Sequence, residues 1–403
     1  MSYKMIDPAV LRTALEQLPA EFQTKDLSNL ESVRAAHPQV VGHSHFHAFV
    51  GRALSELPDV EQVGSGRRGT HWRQRGHGGA SAATAVRPSS SASGPATARA
   101  EATSPTGLGP QCDGDNSFTK RMRLHQSWYR HHVLGVPCGT GPTRNSTRHY
   151  GNMLRREDGE AGLNFLTPGI HDVVRARLVQ DTHNVEPFRL IHNMLSSQPM
   201  CFNLFGPLVQ DHALATRLVR ALWGDHIAQV TGVCIEWAPE PRQEYLDDNT
   251  SFDAFIEYRA EGGGLGFLAI ETKLTEPFSR RLADSPSYRR WMGEGGPWRP
   301  DASGQVQAVR HNQLWRDHLL AWSLLSHPRS PYSEGKLVVV HHPQDENCRK
   351  TVAGYRGLLQ DERSFGELTL DSITGAWGPL VEDGVWLRAF RERYLELEKS
   401  RGA

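Results

Sequence analysis

From Met1 to Leu57 apolar positions recur at three- and four-residue steps. Val10, Leu11, Ala14, Leu15 and Leu18 fall on one helical face, and Asp7 followed by Pro8 supplies an N-cap with proline at the first helical position. Ser28 and Glu31 have the spacing of a capping box before a second short helix. Residues 1–63 are therefore expected to form a small helical module. From Phe118 the pattern becomes that of a packed domain. Leu124 to Val133 mixes aromatic and basic residues, and Gly135 to Asn152 reads as a long loop carrying Arg144 and Arg148. Helices are expected over Pro168–Val179 and Phe188–Leu195. An amphipathic one follows over Asp211–Trp223 through Leu214, Leu218, Val219 and Leu222.

The period then drops to two. Strands are expected over Gln229–Trp237, Ser251–Tyr258 and Gly266–Leu274, separated by the turn signals Asp248-Asn249 and Gly262-Gly263-Gly264. A polar loop from Pro277 to Ala302 leads to a helix over Gln305–Leu325, stopped at His327-Pro328. Lys336–His341 reads as a buried strand, and helices over Glu346–Leu359 and Gly384–Lys399 close the chain. The order helix, three strands, helix, strand predicts an α/β core, a mixed sheet flanked by helices, spanning about 205–345 within a domain of 118–403.

Composition changes this picture mainly between the two parts. Apolar residues make up only 38% of the 403, with 38 glycines and 24 prolines, so part of the length is expected to lack a core. From Gly78 to Gly107 every residue is Gly, Ala, Ser, Thr or Pro except Val86, Arg87, Arg99 and Glu101. Such a stretch cannot bury enough apolar surface to offset its ordering entropy, and residues 64–117 are expected to be a disordered linker. At its start Arg67, Arg68, Arg73 and Arg75 surround Trp72 and read as a solvated linker end or a phosphate contact. His43, His45 and His47 alternate, which suits either a polar surface helix or a metal pair lacking a third ligand.

Charge and cysteine usage exclude several classes. Lysine plus arginine number 45 and so do aspartate plus glutamate, so nucleic acid cannot be held by net charge alone. Five cysteines without a C-x-x-C pair argue against a disulfide framework or zinc ribbon. No apolar run approaches a bilayer span, and the N-terminus lacks an apolar signal segment, so a cytoplasmic protein with no membrane association is expected. P-loop, G-x-S-x-G and H-E-x-x-H motifs are all missing.

The chemistry concentrates in the strands. Alternation puts Phe252, Ala254, Ile256 and Tyr258 on one face and Asp253, Phe255 and Glu257 on the other. In the next strand Glu271 and Lys273 share a face, so Asp253, Glu271 and Lys273 converge if the two apolar sets meet one core. Mg²⁺ is usually held by one or two carboxylates, several waters and substrate phosphates, a role that fits Asp253 and Glu271. Lys273 would orient or deprotonate an attacking water, or stabilise phosphate charge. The competing reading is a surface salt bridge, since E-x-K alone is common.

These segments resemble the PD-(D/E)xK nuclease superfamily, through Ser251-Phe252-Asp253-Ala254-Phe255 and Ile270-Glu271-Thr272-Lys273. The words Ser196 to Leu208 (SSQPMCFNLFGPL) and Glu271 to Ser279 (ETKLTEPFS) are similar to a bacterial family labelled PGN-type restriction endonucleases, over Phe118 to the C-terminus. The resemblance implies a restriction-endonuclease-like α-β-β-β-α-β core and Mg²⁺-dependent hydrolysis of DNA, with Mn²⁺ as a substitute, in restriction or anti-phage defence. Asp253, Glu271 and Lys273 are the implied catalytic set, with Phe252 where proline often precedes the first acid. Glu236 and Glu257 are alternatives for a further acid. Gln313 matches a helical glutamine near the scissile phosphate, and Arg316 with Arg144 and Arg148 are candidate nucleic-acid contacts. A homodimer would supply the two sites that double-strand cutting needs, and residues 1–63 a module for a protein partner or DNA targeting. An inactive binding module on the same fold is the alternative, and the intact acids and lysine argue against it.

Overall fold

The structure, a computed structural model, describes residues 8–19, 21–23, 26–27, 30–36, 54, 57, 60–66, 69–74 and 107–402, the last without 181–184, 284, 294–295 and 382–383. The chain divides into two compact units, 1–98 and 99–403. His43, His45, His47, Arg67, Arg68, Arg75 and the Gly/Ala/Ser/Pro stretch up to Thr106 lie outside the described residues.

The first unit is not purely helical. It contains α1 (Pro8–Leu15), β1 (Glu21–Gln23), α2 (Glu31–Ala36), β2 (Val60–Gly66) and β3 (Gly69–Gln74). The strands form an antiparallel sheet in the order β1-β3-β2, and Leu11, Ala14, Phe22, Leu27, Val33 and Trp72 share one buried cluster. Part of the basic run expected to end a linker is thus a hairpin, and Arg73 pairs with Glu21 across β1 and β3 at 2.7 Å. Glycines and charged residues leave few apolar markers there, so its two-residue period is hidden.

The second unit begins with α3 (Ser117–Trp128), β4 (Cys138–Thr140), β5 (His149–Leu154), α4 (Arg156–Glu160), α5 (Pro168–Gln180) and α6 (Pro187–His192). Then come α7 (Ser197–Gln210), α8 (His212–Trp223), β6 (Ile227–Trp237), β7 (Phe252–Ala260) and β8 (Leu265–Lys273). The remainder is α9 (Pro286–Trp291), α10 (Ser303–Val306), α11 (Asn312–Ser326), β9 (Tyr332–His341), α12 (Glu346–Arg356), β10 (Phe365–Thr369), α13 (Leu370–Trp377) and α14 (Val385–Tyr394). The expected order helix, three strands, helix, strand is present as α8-β6-β7-β8-α11-β9. Among the described residues no helix is long and apolar enough to cross a membrane.

Five strands make one mixed sheet in the order β10-β9-β8-β7-β6. The β6-β7-β8 meander is antiparallel, while β9 and β10 join parallel to β8. Each face buries its own core. On one side Ala254, Ile256, Leu268, Ile270, Val338 and Val340 pack against α7, α8, α13 and α14; on the other Phe255, Phe267, Ala269, Leu337 and Val339 pack against α11 and α12. Burying each such large side chain contributes about 1.5–3 kcal/mol.

Three departures from the sequence expectation have physical causes. Helix α7 is apolar almost all round, with Met200, Cys201, Phe202, Leu204, Phe205 and Leu208 buried, so it shows no amphipathic period. Strand β10, Phe-Gly-Glu-Leu-Thr, carries only two apolar residues at the sheet edge. The single helix expected over Gln305–Leu325 is broken, because the Asn312 side chain turns back to donate to Gln307 O and Ala283 O at 3.2 and 3.3 Å.

Candidate active site

The register of the meander sets the site. Ile235 pairs with Ala254, Trp237 with Phe252, and Ala254 with Ile270. Glu236 therefore lies beside Asp253, and one step past the β7–β8 ladder Asp253 lies beside Glu271. Three acids share one row across three strands.

In that row the alternation of faces reverses. Trp237 and Phe252 pack with the Phe255 core rather than with Ile235 and Ala254, and the Trp237 ring stacks on Phe255 at 3.9 Å. Phe252 thus does not share a face with Ala254, Ile256 and Tyr258, contrary to strict alternation. The visible cause on β6 is Glu236, whose φ of 56° is left-handed. A non-glycine residue holds that conformation at a cost of order 1–3 kcal/mol, and does so where its surroundings over-determine it.

Each acid has a distinct set of partners. Asp253 Oδ2 accepts from Thr272 N and Thr272 Oγ1, both at 2.7 Å, so a backbone N–H just past the ladder is satisfied by a carboxylate. Glu271 Oε1 receives Lys273 Nζ at 2.8 Å and Gln313 Nε2 at 2.6 Å. Glu236 Oε1 receives Gln198 Nε2, from the start of α7, at 2.7 Å. Gln313 Oε1 in turn accepts from Ser279 N at 2.8 Å and lies 3.4 Å from Lys273 Nζ. The ammonium also sits 5.0 Å from the Phe278 ring centre.

Crowding of acids in a buried place governs the titration. Burial, then the neighbouring Glu271 carboxylate, pushes Asp253 up to about 7 against the opposing pull of Lys273 and Thr272. Burial and then Asp253 push Glu236 well above the ordinary carboxylate range. For Lys273 burial acts to lower the value, yet Glu271 and Asp253 outweigh it and hold the amine above its ordinary range. Lys273 is an ammonium at neutral pH.

Other expected residues are placed differently. Glu257 accepts from Thr231 Oγ1 and Tyr332 OH, both at 3.0 Å, and pairs with Phe267 toward the opposite end of β8, away from the acidic row. Arg316 is engaged with Thr250 Oγ1 at 2.9 Å and Asp248 at 3.6 Å, so it is part of the scaffold before β7. Arg144 and Arg148 are exposed in the β4–β5 loop, with Arg148 over the Tyr150 ring at 5.0 Å. Trp315 and Leu319 are core residues, as their helical spacing suggests. Glu276 accepts from Ser197 N at 2.8 Å and ties the loop after Lys273 to α7. At the end of β9, His341 bonds Glu367 at 2.9 Å.

Sequence reasoning missed three contributors to this arrangement. Thr272 was hidden as the variable position of E-x-K, and Gln198 inside a helix without a period. Arg177, on α5, donates to Ile235 O and Glu236 O at 2.9 and 2.7 Å, and no local motif marks it. Asp317, one turn beyond Gln313, is buried with Oδ2 lacking a hydrogen-bond partner, and burial followed by Glu271 pushes it well up.

The donor set suits a hard cation. Among the described residues no three His, Cys, Asp or Glu side chains gather into a metal-holding group, yet one or two carboxylates completed by water and substrate oxygens are what Mg²⁺ ordinarily receives. Asp253 and Glu271 supply such oxygens, and their mutual repulsion marks a place short of positive charge. The nearby Cys201 thiol is raised by burial and donates to Asp253 O at 3.4 Å, which leaves no soft ligand.

The β6-β7-β8 meander thus carries one acid of the row on each strand, with E-x-K on β8, the central strand of the five-stranded sheet, and a glutamine from α11 bonded to Glu271. The family model of the PD-(D/E)XK nuclease superfamily matches residues 113–396, well over half of the chain, and the chain belongs to that superfamily. No curated protein and no solved structure matches it.

Proposed function

We propose that this protein is a divalent-metal-dependent nuclease that hydrolyses DNA phosphodiester bonds, with Asp253 and Glu271 holding Mg²⁺, or Mn²⁺ in its place. The observation that carries the reading is Glu271 Oε1, shared by Lys273 Nζ at 2.8 Å and Gln313 Nε2 at 2.6 Å, in the row of Asp253. When bound, the ion would offset charge developing on the scissile phosphate and acidify a coordinated water.

The chain's own residues divide the remaining work. Lys273, held charged by two carboxylates, stabilises the negative charge of the five-coordinate phosphorus as a compact cation and orients the attacking water. Gln313 fixes both the Glu271 carboxylate and the loop at Ser279, so it presents the acid to the ion and steadies the approach of the phosphate. Glu236 adds a further carboxyl to the row. Arg144 and Arg148, exposed, are suited to phosphates away from the cut.

The resemblance of residues 196–208 and 271–279 to PGN-type restriction endonucleases favours a place in restriction or anti-phage defence, the cysteine usage favours a cytoplasmic one, and double-strand cutting would call for a homodimer. The first unit is offered as the targeting or partner module. Plasmid cleavage with and without Mg²⁺ is the test. Cleavage that needs the ion and disappears in Lys273→Ala, with the circular dichroism spectrum unchanged, supports the reading; equal cleavage by the variant ends it.

A further inference from the structure

In an extended strand consecutive carbonyls point to opposite edges. At the end of β6, which is the edge strand of the sheet, they do not. A single guanidinium, Arg177 on α5, receives both neighbours: Nε donates to Ile235 O at 2.9 Å and Nη2 to Glu236 O at 2.7 Å. That is feasible because Glu236 is left-handed, φ 56°. The same turn brings the Glu236 carboxylate to Gln198 on α7, beside Asp253, and sends Trp237 to the opposite face of the sheet against Phe255. Without the turn, extended backbone would return Trp237 to the face of Ile235 and carry Glu236 off the row.

We propose that Arg177 is a positioning residue: by clamping two successive carbonyls of β6 it holds Glu236 in the left-handed turn, and so keeps a further carboxyl in the row of Asp253, next to the pair of acids that would hold the divalent cation. This rests on the nuclease reading of the site. The clamp makes α5, which carries none of the superfamily's motif residues, a determinant of ion affinity. Arg177 lies in a groove of about 610 Å³ between α5 and the strand edge, so a shorter side chain there leaves space that water can fill rather than a void in the core.

Mn²⁺ binding to the full-length protein without DNA, followed by the electron paramagnetic resonance signal of the free ion, tests the clamp independently of cleavage. Arg177→Gln and Glu236→Gln are each expected to weaken Mn²⁺ binding about tenfold, as loss of supporting partners typically does. The double variant is expected to be no weaker than either single one, because both changes act through the same carboxyl. Binding by Arg177→Gln within about twofold of the parent overturns the proposal. So does a double variant whose loss is the product of the two. Asp253→Asn separates the two levels. If it abolishes binding while Arg177→Gln binds within about twofold of the parent, only the clamp falls; if the parent binds no Mn²⁺, the nuclease site and the clamp fall together. Should Arg177→Gln fail to fold, Arg177→Lys decides: it keeps the charge and has one amine in place of the fork, so binding about threefold weaker supports the clamp and parental binding overturns it.

Discussion

Strand β7 carries two acids four residues apart, and the two ends of the strand treat them oppositely. Glu257 meets two hydroxyls, Thr231 and Tyr332, which give it hydrogen bonds without adding charge. Asp253 meets Thr272 but stands in a row with Glu236 and Glu271, and it is pushed up to about 7 by burial and by Glu271. Strand alternation alone counts them as equivalent. The difference comes from where the β7–β8 ladder stops: Glu257 lies inside it opposite Phe267, whereas Asp253 lies one step past its last pair. The acid within the ladder has its partners fixed by the pairing, whereas the one past its end stands among the acids of the adjoining strands.

The largest expected effect separates the two ends directly. Lys273→Ala and Asp253→Asn should each lower plasmid cleavage by about a thousandfold or more, the scale of losing a charged group that acts in the transition state. Glu257→Gln should stay within about threefold, since nothing ties it to the row. Cleavage lost as fully in Glu257→Gln as in Asp253→Asn would erase the distinction.

Stability against pH should show the same contrast without any substrate. The folded pKa of Asp253 lies above its unfolded value of about 3.9, so the native state holds a proton that the unfolded chain has lost. Its contribution is therefore fully present below about pH 4 and is lost as pH rises to about 7. Glu236 and Asp317, both shifted up, act in the same direction. Denaturant midpoints of the metal-free protein should fall across this window, and Asp253→Asn should flatten the fall. Ca²⁺ should flatten it too, by stabilising the ionised acids, while Glu257→Gln should not. A slope unaffected by Asp253→Asn would place the responsible group elsewhere.

Gln313→Ala should act on the site more mildly. It removes the 2.6 Å bond to Glu271 and the 2.8 Å bond from Ser279 N but leaves the Lys273–Glu271 pair. A fall in kcat of about tenfold, with Mn²⁺ binding weakened by clearly less than that because Lys273 still holds Glu271, is expected for a residue that orients rather than ligates. An equal loss of ion binding would make Gln313 part of the cradle.

Much of this arrangement was legible in the sequence. The six-element core order, Asp253, Glu271 and Lys273 were readable because strands announce themselves by period and E-x-K falls inside one. Gln313 was readable only through resemblance. What stayed hidden depends on register and on backbone conformation. The reversal of faces at Phe252 cannot be seen in an alternating string, and the left-handed turn at Glu236 is unannounced because glutamate has no preference for it. Helix α7 and strand β10 escaped for opposite reasons, one apolar throughout and the other barely apolar. In the first unit the Val60–Gln74 hairpin was obscured by glycine and charge.

The smallest effect concerns the satisfied end. Glu257 joins β6 to β9 through Thr231 Oγ1 and Tyr332 OH, so its carboxylate bridges two strands that flank β7 and β8. Glutamine keeps one carbonyl acceptor, while its amide offers a donor to a hydroxyl that had been donating; that hydroxyl must rotate to accept. The exchange of a charged acceptor for a neutral one in a half-buried position should cost about 1 kcal/mol, read as a lowered denaturant midpoint with an unchanged slope. The loss should be the same at pH 5 and pH 8 and the same with or without Ca²⁺. A cost that instead grows with pH, or vanishes on adding the ion, would mean that Glu257 shares in the electrostatics of Asp253 across four residues of strand, and the two ends of β7 would have to be treated as one site.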